Sequence, residues 1–277
     1  MKLTVLVDNN TLIDKNYYGE PGLSYYIEDE ECKILFDTGY SDILLRNAYK
    51  MGIHLQDINF VVLSHGHLDH TWGISHLIGS LDYFSQGSSD KPVTLVAHPL
   101  ALCPKINDGE QIGFIYSEEA LKACFNFHLS RSPFWISKRI VFLGQIERVN
   151  EFENRRPLGI TVNNGISKED FLLDDSALVY QSDKGLVVIT GCSHAGICNI
   201  IEYAKKICMD ERILAIVGGF HLLNPSETQL EGTLEYMKKL QPGIVYACHC
   251  TDLNSKIALS KVVNLMETGV GTELVYD

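Results

Sequence analysis

His65-Gly66-His67-Leu68-Asp69-His70 places three imidazoles and a carboxylate within six positions. Imidazole nitrogen and carboxylate oxygen are ligands that zinc and neighbouring metals accept. The stretch follows Ile58-Asn59-Phe60-Val61-Val62-Leu63, a short apolar run that reads as a buried strand. It precedes a segment with Trp72, Ile74, Leu77 and Ile78 at helix-like spacing. The pattern predicts a strand-to-helix turn from which the four side chains fan out around one point. A surface loop that merely happens to be histidine-rich would not need this order of ligand types after a buried strand.

The chain of 277 residues, 45% of them hydrophobic, has enough apolar material for a substantial core. No internal repeat, low-complexity tract or linker divides it, so a single domain over 1–277 is expected. The stretch at about 100–172 has a blurred pattern and reads as an elaboration over the site, where selectivity usually resides. A formal charge of −12 argues against a nucleic-acid partner, which needs a basic face. No apolar run is long enough to span a bilayer, and the start reads as a first strand, not a signal peptide. A cytoplasmic location with no membrane partner is the expectation. The oligomeric state is not legible.

Elsewhere the chain alternates. Leu3–Asp8, Leu23–Glu28 and Cys32–Asp37 read as strands, and a helix is expected from Ser41 to before Gly52. Val93–Ala97 is a strand, and Ile140–Leu143 with Ile146–Val149 a hairpin. A second hairpin joins Ala177–Gln181 to Leu186–Thr190. Ile197 to Cys208 carries helical spacing, and Ile213–Val217 is a strand. Asn224-Pro225 with Glu227 announces a helix by cap, first-turn proline and capping-box acid. Gly243–Ala247, Asn254–Met266 and Glu273–Tyr276 then read as strand, helix and strand. Strands leading and helices intervening in both halves predict an α/β (α+β) fold, a four-layer αββα sandwich.

The His-x-His-x-Asp-His motif resembles that of the metallo-β-lactamase superfamily. The resemblance implies that His65, His67 and His194, in Gly191-Cys192-Ser193-His194-Ala195-Gly196, hold one metal. It also implies that Asp69, His70 and His249, in Cys248-His249-Cys250-Thr251, hold a second. Asp69 is then ligand and candidate catalytic carboxylate at once. Most members place a bridging aspartate where this chain has His221, in Val217-Gly218-Gly219-Phe220-His221-Leu222. An imidazole nitrogen has one lone pair and cannot bridge two ions. His221 is itself counted as a candidate metal ligand, and it implies two metals more loosely coupled, or a single ion.

A histidine there is itself a feature of one branch. With Asp8-Asn9-Asn10, Gly22-Leu23-Ser24, Leu35-Phe36-Asp37-Thr38-Gly39 and Asp174-Asp175, the chain resembles the archaeal dihydropterin-ribofuranosylaminobenzene-phosphate synthase family and its bacterial relatives. One departure is Glu20, where that family has a histidine before the glycine.

Asp37 is expected to orient a ligating histidine. His98 is a candidate for the pocket, and Asn9 and Asp175 are further candidates around site or substrate. Asp174 and Asp175 read equally as hairpin caps. His54 and His128 read as surface or packing residues, and His76 as part of the helix after the motif. Among eight cysteines, Cys32, Cys103, Cys124 and Cys208 read as small apolar residues. Strand alternation turns Cys248 and Cys250 away from His249, and Cys192 and Cys250 are expected to be bystanders beside the site.

The resemblance implies zinc, as one or two ions, with manganese, magnesium or iron as alternatives. It implies an enzyme acting on a small, anionic, phosphate-bearing molecule. The reaction is either hydrolysis or condensation of a dihydropterin pyrophosphate with an arylamine. Lys105 and Arg131 are candidates to attract the anion. An alternative is an iron-binding or redox protein, ferredoxin-like or an oxidoreductase, on the same scaffold. Oxygen-reducing di-iron relatives carry glutamate where this chain has His67, which ranks that alternative lower.

Overall fold

Tyr25 and Tyr26, Ile34 and Leu35, and Val187 and Val188 are consecutive residues whose side chains enter different cores. That alternation is what two strand faces covered on both sides require. The computed structural model describes residues 1–85, 93–153, 156–163 and 165–277. A seven-stranded sheet runs in the order Glu273–Val275, Lys2–Val7, Ser24–Glu28, Lys33–Phe36, Phe60–Val62, Thr94–Ala97, Asn126–Leu129. A six-stranded sheet runs Ile244–Cys248, Ile213–Gly219, Gly185–Thr190, Ala177–Ser182, Ile140–Phe142, Phe134–Trp135.

The sheets face each other through Val5, Tyr25, Phe36 and Val62 on one side and Phe142, Leu178, Val187 and Val217 on the other. The outer face of the first sheet packs on Ile43–Lys50 and Ile74–Ser85 through Leu44, Ala48, Ile74 and Leu77. The outer face of the second meets Ile197–Cys208, Glu227–Leu240 and Leu253–Leu259 through Ile200, Ala204, Met237 and Leu259. Each fully buried leucine, isoleucine or methionine among them contributes roughly 1.5–3 kcal/mol. The result is the expected four-layer αββα arrangement. No helix among the described residues is long and apolar enough to cross a membrane.

A third, four-stranded sheet is formed by Ile166–Glu169, Ile160–Asn163, Lys105–Asn107 and Glu110–Gln111. All four strands come from the stretch expected as an elaboration, of which residues 154, 155 and 164 lie outside the described ones. The sheet is tied to the metal-type motif: Leu68 N donates to Ile112 O and Trp72 Nε1 to Gly113 O.

Three local expectations change. Ile146–Val149 forms no strand, because the N–H groups of Val149 and Asn150 both donate to Asn199 Oδ1. The cap of the helix Glu227–Leu240 is Ser226, not Asn224; Ser226 Oγ accepts from Gln229 N, while Asn224 N donates to Asp252 Oδ2. The last helix stops at Leu259, short of Met266. Residues 264–266 instead pair with the edge strand, Val245 N donating to Asn264 O and Met266 N to Val245 O.

Candidate metal centre

Asp69 and His70 lie on the short helix Leu68–Thr71, and the other candidate ligands stand where the chain has just left a strand. His65 follows Phe60–Val62, His194 follows Gly185–Thr190, His221 follows Ile213–Gly219 and His249 follows Ile244–Cys248. Each of these strands runs parallel to at least one neighbour within its sheet, and their carboxyl ends gather at one rim, the usual place for a site in α/β folds. Asp37, Ser193, His221 and His249 hold left-handed backbone there, with φ of 58°, 61°, 51° and 51°. Such geometry costs on the order of 1–3 kcal/mol per residue and clusters at functional sites. Gly191 has no Cβ for a related reason: one there would strike Ser64 Oγ.

The rings of His65, His67 and His194 form a nearly equilateral triangle, with centroids 4.7, 4.8 and 4.7 Å apart. Beside it, His70 Nε2 lies 3.2 Å from His249 Nε2, and Asp69 Oδ2 lies 3.6 and 3.3 Å from those two atoms. The two groups adjoin, the His65 and His70 ring centroids being 4.3 Å apart.

Hydrogen bonding fixes which nitrogen faces inward. Asp37 Oδ2 accepts from both His70 Nδ1 and Ser64 Oγ, each at 2.7 Å. A carboxylate only accepts, so Nδ1 of His70 carries its proton. The Ser64 hydroxyl proton is also committed to Asp37, so its oxygen accepts from His65 Nδ1 at 2.9 Å. Asn9 Oδ1 accepts from His249 Nδ1 at 2.9 Å. With Nδ1 of His65, His70 and His249 so engaged, each of these rings turns Nε2 toward the centre, the nitrogen a metal would take in place of a proton. Asp8 adds a bond that the sequence reading missed, its Oδ1 accepting from His249 N. Only its place beside Asn9 in the Asp8-Asn9-Asn10 run hinted at it.

The donors fit a metal. His65 Nε2 and His67 Nε2 are buried with no hydrogen-bond partner among the described residues, an arrangement that calls for an ion. Burial holds His65 well below the usual imidazole range, with the neighbouring histidines adding to the effect, and pushes His67 down to about 4. Both are then neutral ligands near pH 7. Burial also disfavours the His70 cation, but Asp69 and Asp37 overcome it and lift that imidazole to about 9. Burial would raise Asp69, yet His70, His249 and His67 hold it well below the carboxylate range. Asp69, His70, Cys192 and His249 form one group with ligand atoms within 4.8 Å of one another, and His65, Cys192 and His194 form another.

The remaining candidates separate. The His221 ring packs on that of His194 at 4.2 Å between centroids, in neither of those groups. Asp175 is buried, with Oδ2 accepting from Ala195 N beside His194; Asp174 Oδ2 accepts from Gly66 N within the motif. Both brace site loops. His98 caps the turn Pro99–Leu102 through Nδ1. Glu20 accepts from Tyr40 N and Ser41 N, a structural use of the departing residue. His128 stacks on Phe134, and His54 and His76 are exposed.

Strand alternation holds for Cys248, whose Sγ meets Tyr25 Oη, but fails for Cys250. The strand ends at Cys248 and the left-handed turn at His249 swings Cys250 back, where its Sγ donates to Cys192 O. Lys105 is also corrected. Its ammonium is fully buried, 2.6 Å from Asp170 and 2.9 Å from Asp174, so it is committed to internal carboxylates.

Beside His194 and His221 opens a cavity of about 500 Å³, lined also by Arg156, Ser193, Asn224 and Gln229. Arg131 is exposed and not part of this lining.

The four-layer fold and the histidine-rich rim are those of the metallo-β-lactamase superfamily, whose sequence model matches residues 17–83, and the chain belongs to that superfamily. Among its relatives is 7,8-dihydropterin-6-methyl-4-(β-D-ribofuranosyl)-aminobenzene-5'-phosphate synthase of Methanocaldococcus jannaschii, 28% identical over 92% of this chain and 89% of its own. An uncharacterized protein of the same organism, MJ0448, is 30% identical over 97% of this chain and 98% of its own. The crystal structure of Tm1679, described as a metal-dependent hydrolase of the β-lactamase superfamily, superposes with a TM-score of 0.84 at 29% identity, each chain covered over 100%.

Proposed function

We propose that this protein is a metal-dependent enzyme that binds two ions and acts on a phosphate-bearing small molecule. The carrying observation is the convergence of inward-facing histidine Nε2 atoms and the Asp69 carboxylate beside an open cavity. His65, His67 and His194 would hold one ion, and Asp69, His70 and His249 the other. Zinc suits this nitrogen-rich set best. Bound there, the ions supply Lewis acidity for a phosphoryl oxygen or for an attacking water.

The chain's own residues support an anionic substrate. Arg156 lines the cavity, and so do Ser226, Thr228 and Gln229 at the start of the helix Glu227–Leu240, an end that favours negative charge. The acidic protein thus concentrates positive potential at the metals, this arginine and this helix end. Asp37, Ser64 and Asn9 keep the imidazoles in one tautomer through substrate binding and release.

Of the two reactions, the pterin–arylamine condensation is the first reading, because the relative bearing that synthase name aligns over most of both chains. There the arylamine nitrogen would bond to the pterin methylene carbon and lose a proton as the C–O bond to pyrophosphate breaks, with the leaving group held on the side of the metal-ligand residues. Hydrolysis is the second, favoured by the description of Tm1679 as a hydrolase. A side-by-side assay of metal-replete enzyme separates them, using dihydropterin pyrophosphate with an arylamine, bis(p-nitrophenyl) phosphate, a β-lactam and a thioester. Turnover of the pterin pair with weak phosphodiester cleavage is expected. Fast lactam or thioester hydrolysis with nothing on the pterin or phosphate compounds would overturn the reading.

A further inference from the structure

His221 leaves a chemical deficit. Two cations side by side are stabilised by an anion between them, and His221, which packs on His194 outside both donor groups, supplies none. Cys192 is the residue common to both groups. Its Sγ lies within 4.8 Å of the ligand atoms of His65 and His194, and equally of those of Asp69, His70 and His249. It is buried, and Sγ stands 3.1 Å from His70 Nε2.

The spacing at the Asp69, His70 and His249 position is close to that of a tetrahedral ligand set. A tetrahedral zinc with nitrogen or oxygen at ~2.0–2.1 Å and sulfur at ~2.3 Å has ligand-to-ligand edges of roughly 3.3–3.6 Å. Among Asp69, His70 and His249 the edges are 3.2, 3.3 and 3.6 Å, and Cys192 Sγ stands 3.1 Å from His70 Nε2, somewhat closer than a nitrogen–sulfur edge and near enough to join the same set. The buried, unpartnered Nε2 of His65 lies in the other group that Cys192 completes.

We infer that Cys192 is a metal ligand, a thiolate shared by the two positions in place of the bridging carboxylate. A thiolate carries a full negative charge and several lone pairs on one atom, so it can bind two ions where an imidazole nitrogen cannot. A coordinated thiol loses its proton to the metal. Cys250 is excluded from this role: its Sγ is engaged by Cys192 O and His221 N and belongs to neither group.

The inference rests on the binuclear reading, and cobalt separates the two. Metal-stripped protein is titrated with Co(II), whose visible d–d bands report binding and whose near-ultraviolet sulfur-to-cobalt charge-transfer band reports thiolate ligation. Wild type and Cys250→Ser should give both signals. Cys192→Ser should lose the charge-transfer band and bind cobalt about tenfold more weakly. Cadmium-113 NMR of wild type, which needs no variant to fold, should place both resonances in the thiolate-ligated range. Normal d–d bands without charge transfer would refute the Cys192 role and leave the metal reading intact. One cadmium resonance outside the thiolate range would refute sharing, and absence of cobalt binding would refute both.

Discussion

Replacing Asp37 by asparagine tests the tautomer argument with almost no change in volume. Asp37 accepts from Ser64 N, Ser64 Oγ and His70 Nδ1, each at 2.7 Å, and all three bonds need an acceptor. An asparagine supplies one acceptor oxygen and one donor nitrogen. If the NH₂ faces His70 or Ser64, Nδ1 of His70 or Oγ of Ser64 must become the acceptor. The displaced proton then moves toward Nε2 of His70, or the Ser64 hydroxyl turns to donate to His65 Nδ1, and a metal-facing lone pair is lost. Losing an orienting partner of this kind costs about 10–100-fold in metal affinity. That range is about 1.4–2.7 kcal/mol. It agrees with the roughly 1.5–3 kcal/mol of a hydrogen bond to a charged group. Competition against a chromophoric chelator should show weakening at both metal positions, because Asp37 reaches His70 directly and His65 through Ser64. A variant that binds metal within about threefold of wild type would refute the orienting role.

Chelation should lower the melting temperature, and zinc at about 100 times its Kd should restore roughly 2.7 kcal/mol of stability, read by urea melts with and without metal. Lys105→Met should destabilise the protein by about 3–5 kcal/mol, since Asp170 and Asp174 would be left buried without their cation. A loss below about 1 kcal/mol in urea unfolding would mean the triad contributes little. Gly191→Ala forces a Cβ onto Ser64 Oγ. We expect about 1–3 kcal/mol lost in stability together with weaker metal binding, and unchanged zinc titration would show that Ser64 does not position His65.

The strands and the first metal-type cluster were legible because each depends on short-range pattern. Apolar runs such as Leu23–Glu28 and Ile58–Leu63 marked strands, and the ligand spacing placed His65, His67 and His70 on one turn. What escaped depends on contacts distant in the chain. The apolar spacing of Val262, Val263 and Leu265 continues a helix on paper, but the bare edge of Ile244–Cys248 takes that backbone as its partner. Lys105 reads as an available cation until Asp170 and Asp174, some seventy residues away, fold around it. Cys250 was misplaced because alternation presumes a continuing strand, and the left-handed turn at His249 ends it. Asp8 contacts His249 across 241 positions, a separation at which no local pattern operates.

The central claim is that two metal ions sit on this rim in the stated ligand sets. A crystal structure of protein purified without chelators, with anomalous data on both sides of the zinc absorption edge, tests it most directly. The account predicts two anomalous peaks, one ~2.0–2.2 Å from the Nε2 atoms of His65, His67 and His194, the other equally close to Asp69, His70 and His249. No peak at this rim in metal-replete crystals, or ions bound by other residues, would contradict it.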